Sequence, residues 1–131
     1  MRKIILLFYL LLLSGCYLAN GSPSSFKYWY APENINEMKQ EKIWNDCSDM
    51  AYSILDSNQK KILDRGKVSW ETVYENKDEY KILEDAIELH QRYLFQCLYN
   101  SGFRFRPPLY WCLAQDGDNT RTCIENMKYR N

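Results

Sequence analysis

The five cysteines limit the possible folds of this 131-residue chain more than any other feature. Cys16 lies in the amino-terminal segment, and the other four are Cys47, Cys97, Cys112 and Cys123. In an oxidising compartment an even set of cysteines pairs into disulfides, whereas an odd cysteine needs a separate role. The fold therefore depends on whether the chain is exported and on which cysteine stays outside the disulfide set.

The amino-terminal segment has the layout of a secretory signal peptide. Its positive region is Arg2 and Lys3, and ten consecutive apolar residues follow it, from Ile4 to Leu13. This run is too short to span a bilayer, which needs about 20 apolar residues. We therefore predict that residues 1–15 are a signal peptide that is absent from the mature protein.

The residues around Cys16 resemble the lipobox of bacterial lipoproteins, which consists of an apolar residue, two small residues and a cysteine. Here these are Leu13, Ser14-Gly15 and Cys16. The resemblance implies that a diacylglyceryl group is attached to the Cys16 sulfur and that cleavage before Cys16 frees an amine for acylation. The alternative is an ordinary signal peptide cut near Ala19 or Gly21. A lipid on Cys16 leaves the other four cysteines as an even set.

The segment after Cys16 predicts where the protein lies in the cell. Tyr17 follows the cysteine, and by the enterobacterial sorting rule a residue other than aspartate here favours the outer membrane. Small and polar residues then predominate, which is typical of a flexible tether. We predict a lipidated cysteine and tether over residues 16–28 and a folded domain over residues 29–131. The protein would lie in the bacterial cell envelope, attached to the membrane through the lipid anchor on Cys16.

Two segments have the periodicity of amphipathic helices. In the first, Ile35 to Asp56, apolar residues recur at steps of three and four, and Asn34 with Glu37 has the form of a capping box. In the second, Asp78 to Ser101, the same periodicity ends at Gly102, which favours a left-handed helix terminus. The first apolar face comprises Ile35, Met38, Ile43, Cys47, Met50, Ala51, Ile54 and Leu55. The second comprises Ile82, Leu83, Ala86, Ile87, His90, Tyr93, Leu94, Cys97 and Leu98.

The remaining segments have weaker patterns. Asp56 to Lys77 fits either a short helix with a turn at Gly66 or a strand over Val68 to Tyr74. Phe103 to Trp111 alternates apolar and basic residues before two prolines, which favours a short extended segment. The sequence therefore predicts a mainly α fold: a small, disulfide-stapled helical domain with two main amphipathic helices. An irregular or β-like segment would lie near the carboxyl terminus.

The positions of the four remaining cysteines favour one disulfide pattern. Cys47 and Cys97 lie on the apolar faces of the two predicted helices, and Cys112 and Cys123 flank a segment with turn chemistry. Four cysteines allow three connectivities, and the sequence alone leaves all three open. We expect Cys47–Cys97 and Cys112–Cys123.

Several short motifs together resemble those of a group of short proteobacterial outer-membrane lipoproteins. They are the lipobox, Trp29-x-x-Pro32, a cysteine in the first helix, and a Cys97-apolar-x-x-x-Gly102-aromatic sequence that ends the second helix. Two further cysteines complete the pattern, although Glu33 stands where that group often has glycine. The resemblance implies an outer-membrane lipoprotein with two disulfides, and it implies no activity.

No pattern in the sequence predicts a catalytic, cofactor or metal site. His90 lies on an apolar helix face, and no Gly-x-Ser-x-Gly motif supplies a nucleophile, so we expect a hydrogen-bonded structural histidine. The carboxylates from Glu71 to Glu88 are typical of a solvated face. Asp116 to Asn119 resembles part of a calcium loop, but Met127 occupies the position of the required glutamate.

Aromatic and basic residues concentrate near the tether and the carboxyl-terminal segment. Tyr, Trp and Arg dominate the energetics of protein interfaces, whereas equal numbers of acidic and basic residues argue against a nucleic-acid partner. The candidate partner-binding residues are Trp29, Tyr30, Arg104, Arg106, Tyr110 and Trp111. We expect a non-enzymatic lipoprotein that binds another envelope protein, in an immunity, exclusion, inhibitor or structural role. The alternative is a small cell-wall hydrolase.

Overall fold

A computed structural model describes residues 21–115 and 117–131. The predicted signal peptide, the lipidation site Cys16 and the first part of the predicted tether lie outside the described residues. The chain divides into two compact units. We call residues 31–104 the helical unit, and residues 21–30 with 105–131 the terminal unit.

The described residues form six α-helices, two short 3₁₀ helices and one two-stranded sheet. The helical unit holds α1 (Glu37–Ser53), α2 (Ser57–Val68), α3 (Trp70–Tyr74) and α4 (Lys77–Asn100). The remaining elements are 3₁₀ helices Ser25–Tyr28 and Met127–Tyr129, strands β1 (Trp29–Tyr30) and β2 (Arg104–Phe105), and helices α5 (Leu109–Cys112) and α6 (Asn119–Asn126). These elements confirm the predicted mainly α fold, its two long amphipathic helices and its short β-like segment.

The first long helix begins later than the sequence pattern predicted. Asn36 is the N-cap of α1, since its backbone is extended and its side-chain oxygen accepts the Lys39 amide at 2.9 Å. The predicted capping box of Asn34 and Glu37 is therefore wrong. A turn closed by the Ile35 amide and the Pro32 carbonyl occupies that segment, so the helix starts only beyond it.

The ambiguous segment, Asp56 to Lys77, is mainly helical. α2 continues through Gly66 to Val68, and α3 follows after Ser69, so neither the turn at Gly66 nor the strand over Val68 to Tyr74 exists. Gly66 lets the Leu83 side chain pack closely on α2, because a Cβ at position 66 would lie 3.1 Å from a Leu83 methyl group. A capping box of Asp56 and Gln59 fixes the start of α2.

Fewer residues of the two long helices are buried than the predicted apolar faces contain. A buried cluster joins residues of α2, α3 and α4 with the second residue after the end of α1. It consists of Leu55, Ile62, Leu63, Val73, Leu83 and Ala86. Several residues of the predicted faces are exposed, namely Met38, Met50, Ile54, Ile87 and Tyr93. Small residues at the helix contacts, such as Ala51 and Ala86, let the backbones approach, so side chains at the edges of each face stay in solvent.

Gly102 ends α4 as the sequence predicted. Its φ of 94° is left-handed, the Gly102 amide donates to the Tyr99 carbonyl, and the Phe103 amide donates to the Leu98 carbonyl. This is the Schellman arrangement, in which the residue after the glycine turns back on the helix. Phe103 is buried, and its ring centroid lies 6.2 Å from that of Trp44. A side chain at position 102 would also approach Pro32, because a Cβ would lie 2.9 Å from the Pro32 Cγ.

Each unit contains one disulfide, and the pairing is the one that the sequence favoured. Cys47 of α1 pairs with Cys97 of α4 in the helical unit, with 5.6 Å between their Cα atoms. Cys112 of α5 pairs with Cys123 of α6 in the terminal unit, at 5.7 Å. Within residues 21–115 and 117–131, no helix is both long enough and apolar enough to cross a membrane.

Candidate functional site

Two of the six candidate partner-binding residues form the core of the terminal unit. Trp29 is 6% exposed and Trp111 is 2% exposed. The Trp29 ring packs on Phe105 and Tyr129, with centroid distances of 5.5 and 5.6 Å. The structure therefore removes Trp29 and Trp111 from the predicted partner surface, because ring packing holds both side chains inside.

The burial of Trp111 also changes the predicted boundary of the tether. Its indole Nε1 donates to the Pro23 carbonyl at 2.6 Å, and its ring lies 5.1 Å from that of buried Tyr28. Ser25–Tyr28 is a 3₁₀ helix in the segment that the sequence assigned to the tether. Ordered structure thus begins before residue 29.

Arg104 belongs to the end of α4 and not to a partner surface. Its guanidinium lies 4.5 Å from the centroid of the Tyr99 ring, and its Nη1 donates to the carbonyls of Tyr99 and Phe103. These carbonyls belong to the last turn of α4 and to the residue after Gly102. Arg104 is therefore occupied in stabilising the helix terminus, where a cation is favourable.

The other three candidate residues line one groove of the terminal unit, with a volume of about 580 Å³. They are Tyr30, Arg106 and Tyr110. Tyr30 is 51% exposed and Tyr110 is 65% exposed, so neither ring is needed for the core. The groove is also lined by Tyr28, which belongs to the same aromatic segment of the sequence. The sequence missed the remaining lining residues, which are Pro23, Lys27 and Pro108. We name this feature the tyrosine groove.

The backbone of the terminal unit places the groove residues together. The Arg106 amide donates to the Tyr28 carbonyl at 2.9 Å, which continues the pairing of β2 with β1. Pro108 is the N-cap of α5, and the short helix turns Trp111 inward while Tyr110 stays exposed. The Arg106 side chain is further positioned by a long hydrogen bond of 3.4 Å from its Nε to the Arg130 carbonyl.

The groove has a positive character. Lys27 and Arg106 are its charged lining residues, and no carboxylate lines it among the described residues. From residue 21 on, the terminal unit has five basic and three acidic side chains. Phenol, guanidinium and proline surfaces suit an extended peptide that carries carboxylates, because arginine binds carboxylates bidentately and tyrosine contributes apolar area with a polar tip.

His90 is the single histidine of the sequence, and it lies half-buried on α4. Burial lowers the pKa of His90 below its ordinary value, a hydrogen bond with the Ser48 backbone opposes that shift, and the Lys67 charge adds to it. A neutral, backbone-bonded imidazole fits the predicted structural role. Within the described residues, no group of three or more His, Cys, Asp or Glu side chains is placed to hold a metal ion.

The lowered pKa of His90 predicts a loss of stability in mild acid. The unfolded chain binds a proton near pH 6.5, whereas the folded chain resists protonation at that pH, so the free energy of unfolding should fall as the pH drops below about 6.5. His90→Gln should flatten this part of the pH profile. Denaturant titrations between pH 7.5 and pH 5 would measure it. An NMR titration of this single histidine with a midpoint at or above 6.5 would contradict the prediction.

A cluster of polar side chains joins α1 and α2 at the surface of the helical unit. The Tyr52 hydroxyl donates to Asp64 at 2.5 Å, and Lys60 and Lys67 lie 5.5 and 5.2 Å from the centroid of the Tyr52 ring. The hydrogen bond to Asp64 raises the pKa of Tyr52 and lowers the pKa of Asp64. Both shifts favour a protonated tyrosine that donates to an ionised carboxylate. This hydrogen bond is a structural contact between the two helices.

Comparisons with protein-family models, with curated proteins and with solved structures found no match. The resemblance to short proteobacterial lipoproteins therefore remains a prediction from the sequence motifs. The tyrosine groove is the candidate functional site on its geometry alone.

Proposed function

We propose that this protein is a non-enzymatic lipoprotein of the bacterial outer membrane, anchored through Cys16, that binds another envelope protein through the tyrosine groove. The observation that carries the proposal is the groove itself. Tyr30, Arg106 and Tyr110 lie together in solvent beside Lys27 and two prolines, although the core of the terminal unit needs none of them. An exposed cluster of this composition is typical of a protein-binding site.

The position of the groove in the sequence supports the same function. Pro23 and Lys27 line it, and they follow the proposed lipid anchor by only a few residues. A short tether would hold such a groove close to the membrane surface, where envelope proteins expose their membrane-proximal segments. Immunity, exclusion, inhibition of a foreign lysin and structural support of an envelope machine are all roles that a binding protein of this kind performs.

The chemistry of the groove specifies the kind of segment that it would bind. Its charged side chains are cationic, so a partner segment with aspartate or glutamate would gain charge-assisted hydrogen bonds from Arg106. The tyrosine and proline surfaces would pack against apolar side chains of the same segment. Loss of one central arginine at an interface typically weakens binding about tenfold or more.

Site-specific photocrosslinking in cells that carry the full-length protein would test this proposal. Benzoylphenylalanine at position 110 should give one discrete adduct with an envelope protein, and Arg106→Glu in the same chain should abolish it. Tyr93, an exposed tyrosine of α4 in the helical unit, provides the matched control position. Equal adducts from positions 110 and 93, or an adduct that survives Arg106→Glu, would contradict binding through the groove.

A further inference from the structure

The helical unit carries an exposed aromatic cluster that the proposed function does not use. The Trp70 and Tyr74 ring centroids lie 5.2 Å apart, and the Tyr74 and Tyr80 centroids lie 5.1 Å apart in an edge-to-face arrangement. Trp70 is 54% exposed and Tyr74 is 56% exposed. We name these three residues the aromatic ladder.

Packing of the core does not account for this exposure. Of the five residues of α3, Val73 is the one that is buried. Trp70 and Tyr74 are four residues apart and are therefore neighbours on the helix surface, where their rings support each other. Two large aromatic side chains held together in solvent are typical of an interaction surface, because single scattered apolar residues need no explanation but a contiguous set does.

The charge around the aromatic ladder is strongly negative. Residues 71–88 contain seven carboxylates and two lysines. Three of the carboxylates, Glu71, Glu75 and Asp78, are exposed within a few residues of Trp70 and Tyr74. Arg65 pairs with Glu79, and Arg92 pairs with Glu88, so other parts of the acidic segment are already balanced. The ladder thus combines aromatic faces with carboxylates, the reverse of the cationic tyrosine groove.

We propose that the aromatic ladder is a docking surface for an arginine-rich protein segment. A guanidinium plane stacks on an indole or phenol face and, at its edge, forms two parallel hydrogen bonds with a carboxylate. Trp70 and Tyr74 supply the faces, and Glu71, Glu75 and Asp78 supply the carboxylates. The helical unit already contains one such contact, in which Arg104 stacks on Tyr99. This surface goes beyond the proposed function, because a groove with Lys27 and Arg106 would repel the same segment.

Binding of labelled nona-arginine to the full chain in neutral detergent micelles would test the proposal, with nona-lysine as the probe of equal charge. Fluorescence anisotropy should show nona-arginine binding at least about fivefold more tightly than nona-lysine, because guanidinium stacks on aromatic rings better than ammonium does. Trp70→Ala and Tyr74→Ala should each weaken nona-arginine binding about fivefold or more. Both residues are exposed, so circular dichroism should show unchanged folding.

Matched variants separate the aromatic ladder from general electrostatics. Tyr93→Ala removes another exposed ring elsewhere on the helical unit, and Glu41→Lys makes the same charge change as Glu75→Lys at an exposed position of α1. Of these two charge changes, Glu75→Lys should weaken nona-arginine binding about threefold or more, and Glu41→Lys should not. Arg106→Glu, which is expected to abolish binding at the groove, should not weaken nona-arginine binding, so the two proposals fail independently.

Two results would overturn the proposal. Equal affinity for nona-arginine and nona-lysine, together with no effect of Trp70→Ala, would show attraction to a negative surface without use of the aromatic ladder. Binding of a chitin oligosaccharide that depends on Trp70, with no binding of nona-arginine, would assign the ladder to glycan stacking instead.

Discussion

Replacement of Cys97 by serine should lower the free energy of unfolding by about 4 kcal/mol, measured by denaturant titration with the slope fitted separately for each variant. The bridge from Cys47 joins α1 to α4 across 50 residues, so its removal frees a long loop in the unfolded chain. A small domain is typically stable by about 5–15 kcal/mol, so this loss is a large part of the total. We expect the variant to be partly unfolded at physiological temperature.

Cys123→Ser provides the control within the same chain. The bridge from Cys112 closes a separation of 11 residues, for which the loop-closure relation gives about 3 kcal/mol. Reduction of the wild-type protein should remove both contributions, and non-reducing peptide mapping should recover the two native pairs. A larger loss for Cys123→Ser than for Cys97→Ser would contradict the view that the long-range bridge contributes most. Free reaction of all four thiols in the native protein would contradict export to an oxidising compartment.

The second large effect concerns the proposed lipid anchor. Cys16→Ala should abolish incorporation of an alkyne-labelled palmitate and should remove the processed, acylated form of the protein from the membrane pellet. The reason is that acyl chains supply the membrane affinity, at about 0.8 kcal/mol for each buried methylene group, and that two or more chains are needed for a stable anchor. Gel mobility of the processed chain would report whether cleavage before Cys16 is lost as well.

Two further variants control the anchor experiment, one for the lipobox and one for the sorting step. Ser22→Ala changes a residue close to Cys16 without touching the lipobox, and it should leave labelling and fractionation unchanged. Tyr17→Asp should keep the lipid but shift the protein towards the inner membrane, since aspartate after the modified cysteine is the retention signal of the sorting rule. Palmitate labelling that persists in Cys16→Ala would disprove the lipoprotein assignment. A Tyr17→Asp protein that stays with the outer membrane would disprove only the sorting step.

The two proposed surfaces give the protein two chemically distinct binding modes. The tyrosine groove combines exposed tyrosines with Lys27 and Arg106, whereas the aromatic ladder combines Trp70 and Tyr74 with carboxylates. Opposite charges favour different partner segments, because each surface repels the segment that suits the other.

The sequence by itself determined the fold class and the two long helices, and it favoured the disulfide pairing that the structure then shows. The recurrence of apolar residues at steps of three and four predicts α1 and α4, and Gly102 ends α4 because its backbone is left-handed. Cys47 and Cys97 lie on the apolar faces of these two helices, and they meet when the faces pack. The helix signals depend on neighbours in the chain, whereas the Cys47–Cys97 bridge also needs the two helices to pack together. The exact cap of α1 was missed because the turn that ends at Ile35 moved the helix start beyond Asn34.

Only the tertiary structure decided which aromatic residues are core and which are surface. Trp29 and Trp111 have the same sequence context as Tyr30 and Tyr110, yet the first two are buried and the second two line the tyrosine groove. Alternation of inside and outside positions along two-residue strands and a four-residue helix is too short to show as a period. Pro23, Lys27 and Arg106 are brought together by contacts between residues nearly 80 positions apart, which no local pattern records. The Gly66 position illustrates the same limit: a residue that locally favours a turn lies within a helix, where the absence of a side chain leaves room for Leu83.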